Sequence, residues 1–358
     1  MGDAVDTMPG MTLRWDTYES AEQWRARLLE TPGRPSMFQT PEFAQVKSLA
    51  GWTPRYADID GFPLTVHERR APGFGKVWYL PKGPGVASVQ GLAALLPDLR
   101  TAAHDAGVFL VKIEPELVES PETLQALERL GLLPAGRIQT NKSTVFVDVT
   151  GTPDELMARL PSKTRNTIRR GLKQGVVTEA APLEESTYER MWTLWMEVVR
   201  DQGIAPRSHE YQVAMWRTFC DAGLGRVFLA QHEGRDVAGA FVTVVGDVAC
   251  YRDGASVRER PVRGGSHALQ WEAMRWAQEQ GATSYDMAGT PHSTRVDDPS
   301  DPYFGIGEFK RSFSKEVTDF VGAYDLVLRP RRYATWQRVG HRVTAKVVSG
   351  GRPGATFY

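Results

Sequence analysis

The sequence predicts a mixed α/β (α+β) fold, and three observations carry that expectation. Helix and strand signals alternate along the chain, which disfavours both a helical bundle and a β-sandwich. The 358 residues with 41% hydrophobic content can bury a sizeable core, and the length suits two lobes. Three β-rich runs, 226–233, 237–245 and 248–252, are joined by turns at Glu233-Gly234 and Gly246-Asp247 and flanked by amphipathic helices.

In chain order, Pro41 to Ala50 reads as a helix with proline near its start, followed by a strand from Trp52 to Ile59. Val77 to Leu80 is a short strand running into Pro81-Lys82-Gly83-Pro84-Gly85, and Tyr79 with Lys82 is expected to sit on that rigid turn facing a ligand. Gln90 to Ala106 is helical, Val108 to Ile113 is an apolar strand, and Glu122 to Leu130 is a helix closed by Gly131. Ser143 to Val149 alternates as a strand and Pro153 to Leu160 is helical. A further helix begins with Ser162 as its N-cap and ends at Gly175. Tyr188 to Gln202 and Glu210 to Ala222 are amphipathic helices, Ser266 to Gly281 is a helix, and Ser284 to Met287 and Gly322 to Leu328 are strands. This order places one domain at 1–150, completed by 321–358, and a second at 151–320. Met1 to Gly10 and Gly350 to Tyr358, where Gly and Pro gather, are the expected disordered ends.

Charge and cysteines exclude several classes. With 43 basic and 43 acidic residues the chain is not built to coat nucleic acid. Its two cysteines, Cys220 and Cys250, lack disulfide or metal spacing, so no metal is expected and a reducing compartment is. No basic-then-apolar leader and no long apolar run is visible, so the expected location is cytoplasmic. Local basic runs are a different matter. No acid follows Arg329, while Arg329, Arg331, Arg332, Arg338 and Arg342 accumulate beside Tyr333 and Trp336. A second run holds Lys163, Arg165, Arg169, Arg170 and Lys173, and Arg165, Arg169 and Lys173 share one helical face suited to a diphosphate.

Chemistry is concentrated in a few segments. Lys310, flanked by Phe309 and Phe313 near an expected helix start, would be partly desolvated by those rings, which strengthens its attraction for a developing oxyanion. Tyr251 ends a strand, and Val262-Arg-Gly-Gly-Ser266 feeds a helix N-terminus in the manner of a pyrophosphate loop, which keeps an acyl-coenzyme A N-acetyltransferase open as an alternative. His267 lies inside an apolar helix and is expected to be packed rather than catalytic. Nucleophile elbow, Walker A, zinc-helix and Cys-x-x-Cys motifs are all absent.

Nine segments in order resemble the Fem family of non-ribosomal peptidyltransferases. They are 38–47, 79–84, 112–115, 138–144, 162–166, 251–256, 269–272, 285–289 and 309–313. The resemblance implies two tandem GCN5-related N-acetyltransferase-like domains, and the two helices of 188–222, interrupted at Gly203 and Pro206, imply the compact type with no coiled-coil arm. It also implies an aminoacyltransferase that moves an amino acid from aminoacyl-tRNA, as co-substrate, to an amine on the stem peptide of a peptidoglycan precursor, with no bound cofactor. By analogy Lys310 stabilises the oxyanion, Lys47 and Arg165 meet the precursor's phosphates, and Tyr79 and Tyr251 line its peptide site. The basic residues Arg329 to Arg342 are our candidates for the tRNA acceptor stem, on charge alone. The expected partners are therefore aminoacyl-tRNA and a nucleotide- or lipid-linked muropeptide, with peripheral membrane contact and a monomeric chain. The alternatives are aminoacyl-tRNA-dependent tailoring of a peptide metabolite and a non-catalytic muropeptide-binding module. The chain departs from the family pattern at Phe43, Asp253, Ser312, Ser314 and Met287-Ala288, all expected close to the site.

Overall fold

The computed structural model describes residues 13–136, 138, 142–202, 207–259, 261–340 and 357–358, with the side chains of 201 and 202 left aside. The chain forms two compact units, one from Met1–Arg34, Phe38–Gly136 and Val321–Tyr358, the other from Pro35–Met37 and Arg137–Phe320. The border falls at Gly136 rather than near Thr150. The reason is long-range pairing: the strand 146–148 bonds to 284–286, far along the second unit.

Unit 1 runs β1 (Leu13–Trp15), α1 (Ala21–Leu29), α2 (Pro41–Leu49), β2 (Thr53–Ile59), β3 (Phe62–Ala71), β4 (Gly75–Leu80), α3 (Val89–Asp105), β5 (Val108–Ile113), α4 (Pro121–Arg129) and β6 (Leu133–Pro134). Side-chain caps start α1 to α4, with Ser20, Thr40, Ser88 and Ser120 each accepting from a backbone N–H three residues on. Strand β5 is buried at every residue, as the strand between a parallel neighbour β4 and the antiparallel returning strand Tyr324–Val327 should be. Leu92, Leu95, Leu96 and Leu99 of α3 recur at helical spacing and are buried in the same core, each worth roughly 1.5–3 kcal/mol of burial.

Unit 2 runs β7 (Ser143–Thr144), β8 (Phe146–Asp148), α5 (Pro153–Arg159), α6 (Ser162–Lys173), β9 (Val177–Ala180), α7 (Glu185–Gln202), α8 (His209–Asp221), β10 (Gly225–His232), β11 (Arg235–Val245), β12 (Val248–Ser256), α9 (Gly265–Glu279), β13 (Ser284–Asp286), α10 (Phe304–Arg311) and β14 (Thr318–Asp319). Its six-stranded sheet has the order β8-β13-β12-β11-β10-β9, and β14 pairs separately with β7. Helix α9 buries Ala268, Leu269, Ala273, Met274 and Ala277 in the core of this unit. Helix α6 begins one residue earlier than a Ser162 cap requires, since Pro161 is the N-cap and no side chain caps it. It lies tightly on the start of α9: a Cβ at Gly171 would stand 2.9 Å from the Gly264 carbonyl oxygen. Gly264 itself has φ +92°, a left-handed conformation suited to glycine.

Candidate active site

Lys310 occupies the last turn of α10, not a helix start. It is only 5% exposed. Its ammonium donates to the carbonyl oxygens of Ala288 and, at 2.9 Å, Gly289, and lies 5.7 Å from the centre of the Tyr251 ring. The ring that faces the ammonium is therefore Tyr251. Phe309 and Phe313 are engaged with the His267 ring, at 5.0 and 5.4 Å between centroids. Burial lowers the Lys310 pKa to about 8, and the charges of Asp286 and Cys250 oppose that shift.

The two carbonyls are aimed by a strained turn. Asp286, at the end of β13, accepts from the Ala288 N–H at 2.7 Å and from the Thr144 hydroxyl. Ala288 has φ 51°, a left-handed conformation that costs an alanine about 1 kcal/mol relative to glycine. That is the physical content of the Ala288 departure noted above.

Tyr251 is aimed by a β-bulge. The register shifts from Val242 opposite Tyr251 to Phe241 opposite Asp253, leaving Arg252 as the extra residue. Residues two apart would ordinarily share a face. The bulge separates them, so Tyr251 packs in the core with Ala249 and Val242 while Asp253 turns to α8. There it accepts from Gln212 Nε2 and Trp216 Nε1, both at 2.9 Å. Asp253 is bonded on that side, while its charge still acts on the Tyr251 phenol. Gly254 makes room for the tyrosine, since a Cβ there would overlap its hydroxyl. Burial raises the Tyr251 pKa, keeping the phenol protonated.

In unit 1 the expected pair Lys47 and Tyr79 also come together. Lys47 Nζ lies 5.0 Å from the Trp52 ring centre and 5.9 Å from that of Tyr79. Tyr79 belongs to β4 and is fully buried, so it is not on the exposed turn; its hydroxyl donates to Glu114 Oε2 at 2.5 Å. Beside them, His67 is completely buried, and burial with the nearby Lys47 charge lowers its pKa to about 3. Of the expected disordered end only the last two residues are described, and they are packed: Phe357 is 2% exposed and Tyr358 stacks on Trp52 at 6.0 Å. Residues 1–10, 139–141, Gly203, Pro206, Arg342 and 350–356 lie outside the described residues.

Arg165 turns back on its own chain and donates from Nη1 to the Ala158 and Leu160 carbonyls at 2.9 and 2.5 Å, satisfying the C-terminal end of α5. Arg329, Arg331, Arg332 and Arg338 are all exposed, and Arg332 Nη1 reaches the Phe74 carbonyl at 3.4 Å. Sequence reading missed the backbone carbonyls of Ala288 and Gly289, which no side-chain pattern announces. It also left without a role Asp286 and the buried Lys112, although both lie in segments singled out above. Among the described residues no cluster of His, Cys, Asp and Glu could hold a metal ion.

Comparison with known proteins fits these features into a class. The family described as an acetyltransferase (GNAT) domain matches residues 162–305. The solved C-terminal domain of a putative lysylphosphatidylglycerol synthetase from Agrobacterium fabrum aligns with a TM-score of 0.53 at 15% identity, covering 94% of this chain and 100% of that one. The crystal structure of FemX aligns with a TM-score of 0.78 at 19% identity, covering 92% of this chain and 100% of that one. By sequence, the lipid II:glycine glycyltransferase of Staphylococcus aureus (strain MRSA252) is 22% identical over 390 aligned positions, spanning 86% of this chain and 92% of the relative. The chain is an α/β protein with a GNAT acyltransferase domain. By sequence it is similar to lipid II:glycine glycyltransferases, and its fold is that of FemX.

Proposed function

We propose that this protein transfers an amino acid from aminoacyl-tRNA to an amine on the stem peptide of a peptidoglycan precursor, as a cytoplasmic aminoacyltransferase. The observation that carries this reading is the buried Lys310 ammonium, held by two carbonyls and an aromatic face, in a chain homologous to glycyltransferases. The neutral amine attacks the ester carbonyl and the C–N bond forms. The tetrahedral oxyanion then collapses, the C–O bond to the tRNA ribose breaks, and the amine's proton goes to the departing hydroxyl through the ribose or water. An ammonium has three N–H donors, and Ala288 and Gly289 take two, so the third is the one for the oxyanion. Holding a cation against carbonyls in a dry site makes that donor strong at the moment charge develops.

The Fem resemblance supplies the remaining roles. Tyr251 and Tyr79 would line the peptide site, Lys47 and Arg165 would meet the precursor's phosphates, and Arg329, Arg331, Arg332, Arg338 and Arg342 would contact the tRNA. Acyl-coenzyme A chemistry is the weaker reading, because Gly264 of the would-be pyrophosphate loop is packed against α6. The test is a transfer assay across a panel of charged tRNAs with nucleotide-linked and lipid-linked muropeptides, read by product mass. A product heavier by one aminoacyl residue is expected, and no product from any pairing would end the proposal.

A further inference from the structure

One strongly charged surface reaches beyond the residues given to the precursor. Helix α6 buries Thr164, Ile168 and Gly171 against its own unit. At roughly 100° per residue, Lys163, Arg169, Arg170 and Lys173 fall within an arc of about 120° on the opposite side. All four are exposed, and none has an ion-pair partner among the described residues. From Pro161 to Thr178 the chain contains no acid at all. Beside this arc two large apolar side chains stand in the open: Leu172, 43% exposed, at the end of α6, and Val177, 64% exposed, at the start of β9.

We propose that this face of α6, with Leu172 and Val177 at its border, is a docking surface for an anionic lipid bilayer. Clustered Lys and Arg with no compensating acid match the negative potential of anionic headgroups. Leu172 and Val177 distinguish a bilayer from the other polyanion, nucleic acid: exposed aliphatic groups gain by entering the acyl boundary and gain nothing from a phosphate backbone. The surface lies on, and does not span, the membrane, in keeping with the absence of any described helix long and apolar enough to cross one. For the transferase reading, which this inference extends, it implies an acceptor presented at a membrane.

The test is sedimentation of the full chain with phosphatidylcholine vesicles, with or without phosphatidylglycerol, in low salt. Wild type is expected to bind only the phosphatidylglycerol vesicles and to be released by salt. Replacing Lys163, Arg169, Arg170 and Lys173 with glutamine should weaken binding on the order of a thousandfold, from about 1 kcal/mol per cation at the surface. Lys163→Gln with Lys173→Gln, and Arg169→Gln with Arg170→Gln, should each fall between, and Leu172→Asn should weaken binding several-fold. Thermal melts of the same variants check that folding is intact. No binding by wild type, or equal binding by the fourfold variant, would overturn the proposal. So would a duplex RNA whose binding depends on these four residues while vesicle binding does not. The vesicles carry no muropeptide, so a negative result leaves the transferase reading standing.

Discussion

Both units of this protein bury lysine, and Lys112 of unit 1 and Lys310 of unit 2 are compensated differently. In unit 1, Lys112 on β5 is 3% exposed and bonded to Asp325 of the returning strand, itself 1% exposed and also accepting from the Tyr333 hydroxyl at 2.9 Å. In unit 2, Lys310 is 5% exposed, donates to two carbonyl oxygens and faces an aromatic ring, with the Asp286 charge near it but bonded elsewhere. A cation bonded directly to a carboxylate has little left to offer a substrate, whereas one that donates to carbonyl dipoles keeps attraction for an anion that forms nearby. The contrast separates a lysine that ties strands together from one suited to chemistry.

The largest expected effect breaks the first half of this comparison. Asp325→Ala strands a buried ammonium and should destabilise the protein by about 3–5 kcal/mol, read as a shift in the denaturant midpoint. If the midpoint moves by less than a quarter of that, Lys112 is not held as described. The second half is sharpened by pH. The folded pKa of Lys310, about 8, lies below the ordinary 10.5, so the unfolded chain binds more protons between these values and stability rises with pH across that window. Relative to Lys310→Met, wild type should gain about 3 kcal/mol from pH 8 to 10.5. Parallel stability curves for the two proteins would contradict the assignment.

Smaller effects probe the supports of Lys310. Gly254→Ala places a methyl group against the Tyr251 hydroxyl and should cost about 1–3 kcal/mol of stability while lowering turnover. Unchanged melting would mean the tyrosine has room that the geometry denies it. Ala288→Gly relieves the left-handed strain and should stabilise by about 1 kcal/mol, and a drop in melting temperature would show the turn to be unstrained.

The sequence made much of this arrangement legible, and chain distance decided what it hid. The paired strands β10, β11 and β12 announce themselves because short turns join apolar runs. The true unit border was hidden because β8 bonds to β13, a partner whose pairing no local pattern encodes. Tyr79 reads as a turn residue from the Pro and Gly that follow it, yet β4 continues through Leu80. Lys310 stood out by its aromatic neighbours, but the groups that hold it are backbone carbonyls 21 and 22 residues away. The bond of Asp253 to Gln212 and Trp216 was hidden because the bulge at Arg252 breaks the alternation of the strand. Compositional signals at the C-terminus misled as well: the Gly and Pro residues say nothing of Phe357 and Tyr358, whose rings are buried among Trp52 and Trp336.

The account rests on Lys310 as a cation that stabilises the oxyanion, and its most direct test is aminoacyl transfer by Lys310→Met at a pH below 8. Turnover should fall by about 10²–10³, with precursor affinity little changed and stability equal to or above wild type. Turnover within a few-fold of wild type in a folded Lys310→Met protein would contradict the account.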